Sequence, residues 1–402
     1  MSKAPWLTIV GLGEDGPDGL CAASRAALSE AEIVMGPARH LSLLPLATDR
    51  IEWPVPFAEG IPKLLALRGR RVAVLASGDP FWFGAGAVLA RHLEPGEWRA
   101  FPGRSAFSLA AARMGWPLEA THCAGLHAAP LSRLRPQLAP GRRLVVLLRD
   151  GDAVRALAAY LAAEGFGASE LTVMEALGGP RERLTPVRAD ALPDRTFAHP
   201  VCAAVSVAGA GAVLPLATGR ADDWFESDGQ ITRRPIRALT LSALAPRPLE
   251  HLWDIGGGSG SIAIEWLLCD PTLRATTIEP RPDRAARIAA NAARLGVERL
   301  KVVEGSAPEA LDALDRPDAV FIGGGLSQEL LDWLEARLPL GTRLVANAVT
   351  LESEALLIAA QARLGGDLMR IELSSPVPIG PKRGWKSAFP ILQWSHRWSH
   401  VR

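Results

Sequence analysis

The glycine-rich segment WDIGGGSGSIAIEW has a composition and spacing that suit close contact with a ligand. In it, Asp254 is followed by Gly256, Gly258 and Gly260. A chain gives up side chains in this way where its backbone must turn tightly or approach another group closely. An apolar run precedes the glycines and a helix-like run follows them. We therefore predict a strand, a tight turn and a helix that bind a ligand at the carboxyl edge of a sheet.

Three kinds of ligand compete for this turn. A phosphate-binding P-loop needs Lys followed by Ser or Thr, and Gly260 is followed by Ser261 and Ile262. The dinucleotide fingerprint G-x-G-x-x-G fits imperfectly, because its third glycine would fall on Ser261. An acidic residue followed by G-x-G-x-G is satisfied by Asp254 and the three glycines. Bare backbone of this kind can approach the amino-acid end of S-adenosylmethionine, and Asp254 could engage its ammonium group.

The ends of three further predicted strands extend this pattern. Glu279 ends the second strand, where a carboxylate can accept both hydroxyls of a ribose. Gly305 and Ser306 follow the third strand, where an adenine edge would lie, and Gly323 follows the fourth, beneath a transferring methyl group. Four strand ends in this order favour a methyltransferase-type nucleotide site. A dinucleotide redox site and a merely structural glycine turn stay open as alternatives.

The first half of the chain repeats the design with a less regular pattern. Small and polar residues follow three predicted strands, and the candidates for ligand contact are Gly11, Gly13, Gly78, Asp79, Pro80, Ser105 and Ala106. Asp79 and Ser105 could equally cap helices. From spacing alone, this half predicts a nucleotide-sized site of undefined type.

These residues need a scaffold, and the sequence predicts an α/β one. Short runs rich in Val, Leu and Ile, such as RVAVLASGD and RLVVLLRDG, alternate with stretches at helical spacing. Strands that are apolar throughout are typical of a parallel sheet covered on both faces by helices. Proline, glycine and acidic residues near 212–240 interrupt the pattern of strands and helices and indicate a domain boundary. We predict a two-lobed domain over 1–215 (lobes about 1–115 and 116–215), a linker over 216–235 and a second domain over 236–402.

Composition argues against several classes of function. The net charge of +1 argues against an extended nucleic-acid surface. The four cysteines are far apart and form no CxxC pair, so neither a disulfide framework nor a zinc site is indicated. No apolar run approaches ~18 residues, and the first residues lack a signal-peptide pattern. We expect a cytoplasmic protein without nucleic-acid or membrane partners.

The C-terminal segment WSHRWSHVR contains two histidines, His396 and His400, at the i, i+4 spacing of a helix. Such a pair could bind a metal ion. A frayed tail or a subunit contact explains the segment as well.

The motifs of both halves resemble known families. GLGEDGPDGL, SGDPFWFG, PGRSAFSLA and EALGGPRERL resemble the precorrin-6Y branch of the tetrapyrrole methylase family. DGQITRRPIRALTLSAL, WDIGGGSGSIAIEW and LVANAVTLESEALL resemble the decarboxylating precorrin methyltransferases that are often fused behind it. The resemblance covers almost the whole chain. It implies a two-lobed tetrapyrrole methylase domain followed by a Rossmann-like seven-strand methyltransferase domain.

The resemblance implies two reactions of cobalamin biosynthesis, each with its own S-adenosylmethionine site. The first domain is implied to methylate C5 of precorrin-6Y. The second is implied to methylate C15 and to decarboxylate the ring C acetate, giving precorrin-8X. Because a reduced macrocycle supplies its own nucleophilic carbons and a conjugated imine as electron sink, we expect no obligatory metal. The alternative is a C15 methyltransferase and decarboxylase whose N-terminal domain only binds the tetrapyrrole. The stand-alone relative of the second domain also suggests a homo-oligomer.

A substrate with many carboxylates calls for cationic partners, and Arg binds carboxylates in a bidentate manner. The candidates for catalysis are Arg39, His40 and His127, and those for substrate binding are Arg233, Arg234 and Arg237. Solvated surface positions are the alternative for the arginines, and a structural role is the alternative for His127. Ser306 stands where the family often has Asp, which weakens an adenine contact through that side chain.

Overall fold

The computed structural model describes residues 5–45 and 47–398. They form two compact units. The first runs to Ala212 without Ser132–Pro136, and the second comprises Ser132–Pro136 and the chain from Val213 onward. Both units consist of β-sheets with helices packed against them, so the prediction of an α/β fold is confirmed. None of the described helices is long and apolar enough to cross a membrane.

The first sheet of the first unit is parallel. Its strands are β1 (Leu7–Leu12), β2 (Ile33–Gly36), β3 (Asp49–Glu52), β4 (Val72–Ser77) and β5 (Trp98–Phe101). Its helices are α1 (Ala22–Glu30), α2 (Ala38–Leu43), α3 (Gly60–Leu65) and α4 (Ala85–Ala90), while the following helix α5 (Ala106–Met114) packs against the second sheet of this unit. The strand order is β3-β2-β4-β1-β5, and all pairs are parallel. Strand β1, which lies between β4 and β5, is buried along its length, as its uninterrupted apolar run predicts.

The second sheet of the first unit is mixed, and the predicted parallel sheet is wrong there. Its elements are β6 (Thr121–Gly125), β7 (Arg143–Leu148), α6 (Gly151–Ala163), β8 (Glu170–Glu175), β9 (Arg183–Arg188) and β10 (Val201–Ser206). In the order β6-β7-β10-β8-β9, only β6 and β7 run parallel. The central strand β10 is almost fully buried, and an apolar run that is buried on both faces does not encode strand direction.

The second unit contains one large sheet and a small hairpin. Its strands are β11 (His251–Ile255), β12 (Arg274–Glu279), β13 (Lys301–Glu304), β14 (Ala319–Ile322), β15 (Arg343–Ala348), β16 (Asp367–Ile371), β17 (Ser374–Ile379), β18 (Lys382–Ser387) and β19 (Ile391–Arg397). Its helices are α7 (Arg234–Leu244), α8 (Ser261–Cys269), α9 (Pro282–Arg294), α10 (Gln328–Arg337) and α11 (Leu351–Leu364). The large sheet has the order β13-β12-β11-β14-β15-β19-β16, while β17 and β18 form the hairpin.

Strand β11 marks the point where the order of this sheet reverses. The chain proceeds from β11 to β12 and β13 on one side, and from β14 to β15 on the other, all in parallel. Ligands of open α/β sheets bind at the carboxyl ends of the strands at such a switch point. The glycine turn that follows β11 lies there.

The C-terminal strand β19 runs antiparallel to β15 and β16. His396 lies within β19 and stacks on Trp394, with ring centroids 5.5 Å apart. The predicted helical spacing of His396 and His400 is therefore wrong for His396, and His400 lies outside the described residues. Within the described ranges, no group of three or more His, Cys, Asp or Glu side chains is placed to hold a metal ion.

Candidate functional site

The first unit contains a cavity of about 600 Å³ at the carboxyl ends of β1 and β4. Eight of the predicted site residues line it: Gly13, Arg39, His40, Gly78, Asp79, Ser105, Ala106 and His127. Gly11 and Pro80 were predicted as well, but neither is among the lining residues. The sequence-based candidates of this half are thus brought together from five separate stretches of chain.

Glycines let three backbone segments meet below this cavity. A Cβ atom on Gly11 would lie 2.0 Å from the carbonyl oxygen of Gly78 and 2.2 Å from the nitrogen of Gly103. The same segments are joined by a hydrogen bond of 3.0 Å from the nitrogen of Gly103 to the Gly78 carbonyl. Gly11 therefore serves the close packing of the turns rather than direct contact with the cavity.

Asp79 and Ser105 both line the cavity and also stabilise their own loops. The carboxylate of Asp79 accepts a hydrogen bond of 2.8 Å from the nitrogen of Phe81. The hydroxyl of Ser105 accepts one of 3.1 Å from the nitrogen of Ser108, which caps α5. The capping alternative therefore applies to Ser105, whereas Asp79 closes a turn ahead of α4.

A charged network stands at one wall of the first cavity. Glu14, whose side chain is 6% exposed, is paired with Arg39 and, at 3.3 Å, with Arg181. Arg39 Nη2 donates to His40 Nε2 over 2.9 Å and to Ser77 Oγ over 3.2 Å. Arg39 is therefore fixed in place, with its charge partly balanced by Glu14.

His40 is a neutral hydrogen-bond acceptor in this network. Burial, aided by the charge of Arg39, lowers the pKa of His40 to about 3. Its Nε2 already accepts from Arg39, so this nitrogen is a poor proton acceptor. In this arrangement His40 holds the guanidinium of Arg39 in place, and its predicted catalytic role stays a prediction.

Two further histidines line the first cavity. His127, predicted from its motif, is exposed there. His199 was missed, because a histidine in a loop carries no periodic signal. Its Nδ1 donates to the carbonyl oxygen of Arg149 over 2.9 Å, so the ring orientation is fixed. Burial lowers the pKa of His199, and the charge of Arg39 lowers it further.

The second unit contains a cavity of about 390 Å³ around the glycine turn. The predicted residues that line it are Gly256, Gly258, Glu279, Gly305, Ser306, Gly323 and Arg233. They follow β11, β12, β13 and β14, as predicted, except for Arg233, which precedes α7.

Alternate glycines of the turn adopt the left-handed conformation. The φ angles of Gly256, Gly258 and Gly260 are 74°, 59° and 76°. A Cβ atom on Gly256 would lie 2.7 Å from Cα of Gly324. Gly260 lies outside the cavity lining, and its Cβ atom would meet Ile288 at 2.7 Å. The G-x-G-x-G spacing thus reflects both backbone conformation and close packing.

Asp254 lies behind the turn and does not line the cavity. It is 1% exposed, and its carboxylate accepts a hydrogen bond of 3.3 Å from the nitrogen of Ala263 in α8. Burial raises the pKa of Asp254 to about 7. The predicted contact between Asp254 and an ammonium group is therefore corrected: Asp254 connects the turn to α8.

Glu279 combines burial with access to the second cavity. Its carboxylate accepts hydrogen bonds from the nitrogen of Gly258, at 2.9 Å, and from the nitrogen of Arg281, at 3.1 Å. The side chain of Glu279 is only 2% exposed. The acidic residue at the end of β12 and the glycine turn thus hold each other in position.

The three arginines predicted to bind substrate have different environments. Arg233 lines the cavity and is paired with Asp222 at 3.6 Å. Arg234 is exposed and lies outside the lining. Arg237 is fully buried, and its Nε donates to Glu265 over 2.7 Å. The prediction for Arg237 is wrong, because its guanidinium is enclosed by protein groups.

The loop that begins the motif DGQITRRPIRALTLSAL also forms part of the second site, although no residue before Arg233 was predicted there. Gln230 and Thr232 line the cavity, and the carbonyl oxygen of Gln230 lies 3.2 Å from the position of a Cβ atom on Gly258. Asp228 anchors this loop by accepting from Arg284 Nε over 2.8 Å. The hydrogen bond from Arg284 lowers the pKa of Asp228 to about 2.

Asn347, near the end of β15, is a further residue of this site that was not predicted from the sequence. It lines the cavity, and its amide is hydrogen-bonded to Thr240 and Gln393. The motif LVANAVTLESEALL contains this asparagine, but its partners come from distant parts of the chain.

Two family models match the chain. The tetrapyrrole (corrin/porphyrin) methylases match residues 6–193, and the precorrin methyltransferase domain matches residues 223–398. A Sinorhizobium protein named precorrin-6Y C(5,15)-methyltransferase [decarboxylating] is 50% identical over 98% of this chain and 96% of its own length. A Mycobacterium tuberculosis protein of the same name is 41% identical over 97% of this chain and 99% of its own length.

A third relative is shorter. It is a Salmonella typhimurium protein named cobalt-precorrin-6B C(15)-methyltransferase (decarboxylating). It is 33% identical over 40% of this chain and 86% of its own length.

Proposed function

Because the chain belongs to the family of precorrin-6Y C(5,15)-methyltransferases (decarboxylating), we propose that each of its two units carries one S-adenosylmethionine site. The chain is a decarboxylating C-methyltransferase of cobalamin biosynthesis that methylates C5 and C15 of a precorrin. The finer division is that the first unit methylates C5, while the second methylates C15 and removes the ring C acetate as carbon dioxide. The product is then precorrin-8X.

The main support for assigning one reaction to each unit is that each unit has a cavity, built over bare glycine backbone at the carboxyl ends of parallel strands. Side chains at Gly11 and Gly256 would collide with neighbouring backbone, so both turns require glycine. The shorter relative, named for C(15) methylation and decarboxylation alone, is consistent with placing these steps in the second unit.

The residues of the first cavity fit a carboxylate-bearing macrocycle together with a nucleotide. S-adenosylmethionine would supply an electrophilic methyl group, and the loops at Gly78, Asp79 and Ser105 would hold it. Arg39 offers a fixed cation for a substrate carboxylate, with His40 as its positioning partner. His127 is proposed as the proton acceptor, since it lines the cavity.

The second cavity fits the same cofactor in a different way. Glu279 would accept from ribose hydroxyls, and the turn from Gly256 to Gly258 would pass beneath the amino-acid end. Gly305 and Ser306 would border the adenine, and Gly323 would lie below the acceptor carbon. Arg233 is the cation of this cavity that is proposed to bind a substrate carboxylate at its rim.

A single-activity protein whose first unit only binds tetrapyrrole is not favoured. The relatives that match the full chain are named for both carbons. We keep the homo-oligomer as part of the proposal. The exposed Trp385 and Ile379 of the β17–β18 hairpin support it, and a monomeric mass in light scattering would contradict it.

The test is to disable the two turns separately and to weigh the product. Gly78→Val should remove one methylation and leave decarboxylation intact, because Gly78 has a φ of 52° at the first cavity. Gly258→Val should remove the other methylation together with decarboxylation. If Gly78→Val leaves both methylations intact, the first unit is not an enzyme.

A further inference from the structure

Asn347 has an amide whose orientation is fixed by two buried partners. Its Nδ2 donates to Thr240 Oγ1 over 2.9 Å, and its Oδ1 accepts from Gln393 Nε2 over 2.9 Å. Gln393 Nε2 also donates to Thr240 Oγ1 over 3.1 Å. Thr240 and Gln393 are 0% and 2% exposed. The protons of the Gln393 amide are therefore both used inside the protein.

One N–H group of Asn347 has no acceptor within the described parts of the chain. An NH₂ group has two protons, and the contact with Thr240 uses one of them. Because Asn347 lines the second cavity, the remaining proton is available to a bound ligand.

The position of Asn347 in the sheet indicates which ligand it meets. The proposed cofactor residues follow β11, β12 and β13, whereas Asn347 lies in β15 on the opposite side of β11. With β14 between them, β15 is displaced from β11 by about 10 Å. Asn347 thus lies on the side of the methyl acceptor.

The surroundings of Asn347 suit a carboxylate that is to be lost. Ile236, Phe321 and Ile391 line the same cavity, and its described cations are Arg233 and Arg284. Arg284 is already paired with Asp228. In the transition state of decarboxylation the negative charge of the carboxylate disperses into the macrocycle. A cation bound tightly to the carboxylate would therefore stabilise the reactant more than the transition state. A neutral donor with apolar neighbours orients the group without that penalty.

On the basis of the function proposed for the second unit, we propose that Asn347 binds the acetate carboxylate that leaves as carbon dioxide. Thr240 and Gln393 are its positioning residues. The bond between the methylene carbon and the carboxyl carbon breaks, and its electron pair passes into the conjugated imine system of the substrate. The methylene carbon then takes up a proton from water.

The test compares Asn347→Ala and Asn347→Asp in the full chain. Decarboxylation should fall roughly 10- to 100-fold in Asn347→Ala, the loss expected for a hydrogen bond to a charged group. Asn347→Asp should be slower still, because it places a second carboxylate beside the first. The affinity for S-adenosylhomocysteine and the methylation of C5 should stay unchanged in both. Thr240→Val should lower decarboxylation in the same way, and Thr240→Ser should restore it.

Two results would overturn the inference. One is wild-type decarboxylation in Asn347→Ala. The other is an S-adenosylhomocysteine affinity that falls in parallel with decarboxylation, which would make Asn347 structural or a cofactor ligand. A wild-type chain that methylates but releases no carbon dioxide would overturn the proposed function itself, so the two failures are distinguishable.

Discussion

Arg237 and Glu265 form an ion pair in which neither side chain is exposed, with Nε of Arg237 2.7 Å from Oε1 of Glu265. Glu265 also accepts from the nitrogens of Gly219 and Arg220, at 2.6 and 3.0 Å. Arg237 donates in addition to Asp222 over 3.0 Å. The pair therefore joins α7 and α8 to the segment that precedes α7, next to the second cavity.

Removing Arg237 should destabilise the second unit strongly. Arg237→Ala removes the closer of the two cations paired with the buried Glu265, leaving Arg220 at 3.4 Å, and breaking a buried ion pair in this way costs up to about 3–5 kcal/mol. Urea unfolding followed in the full chain would measure the loss. Arg234→Ala is the matched control, because Arg234 is exposed on the same helix, and it should change stability by less than about 0.5 kcal/mol. Equal effects of the two variants would contradict the structural role of Arg237.

Gly11→Ala should disable the first cavity alone. The added methyl group would lie 2.0 Å from the Gly78 oxygen, so the turns must separate. We expect at least a roughly tenfold loss of S-adenosylhomocysteine affinity at the first site and of C5 methylation, with C15 methylation intact. Gly96→Ala, which meets no atom within 4 Å, is the control and should bind normally. Normal C5 methylation in Gly11→Ala would show that the close approach is not required.

The stability of the second unit should depend on pH through Asp254. Its pKa is raised to about 7 in the folded chain, so between about pH 4 and 7 the folded state binds the proton that the unfolded state has released. Stability is therefore lost as pH rises through this range, and the loss is complete above the folded pKa. Asp254→Asn should gain a few kcal/mol relative to the wild type between pH 4 and 7. A difference in unfolding free energy between Asp254→Asn and the wild type that does not vary with pH would be inconsistent with the raised pKa of Asp254.

Releasing the loop that contains Gln230 should weaken cofactor binding at the second cavity. Asp228→Asn removes the ion pair with Arg284 Nε, whose length is 2.8 Å. We expect the dissociation constant for S-adenosylhomocysteine at this site to rise roughly 3- to 10-fold, as measured by calorimetry. Asp223→Asn, at an exposed position of the preceding segment, serves as the control. Unchanged S-adenosylhomocysteine binding in Asp228→Asn would show that this loop does not contribute to the second site.

The sequence predicted the features that depend on local backbone chemistry. The turn from Gly256 to Gly260 and the parallel strands β11 to β15 follow from glycine spacing and apolar runs. The sequence did not predict the antiparallel direction of β10, because an apolar run buried on both faces looks the same in either direction.

The roles of other residues depend on partners that are distant in sequence. Arg237 lies in a motif rich in arginine, yet Glu265, 28 positions away, makes it structural. Asn347 gains its orientation from Gln393, which lies in β19, 46 positions away. Pairings of this kind form only when the sheet assembles, and no local spacing encodes them.

Two separate S-adenosylmethionine sites in one polypeptide are the central claim. Equilibrium dialysis of S-adenosylhomocysteine against the full chain tests it most directly. We predict two molecules bound per polypeptide at saturation in the wild type, with occupancy of the first site reduced in Gly11→Ala at the ligand concentration that just saturates the wild type. Saturation at a single molecule in the wild type would contradict the account.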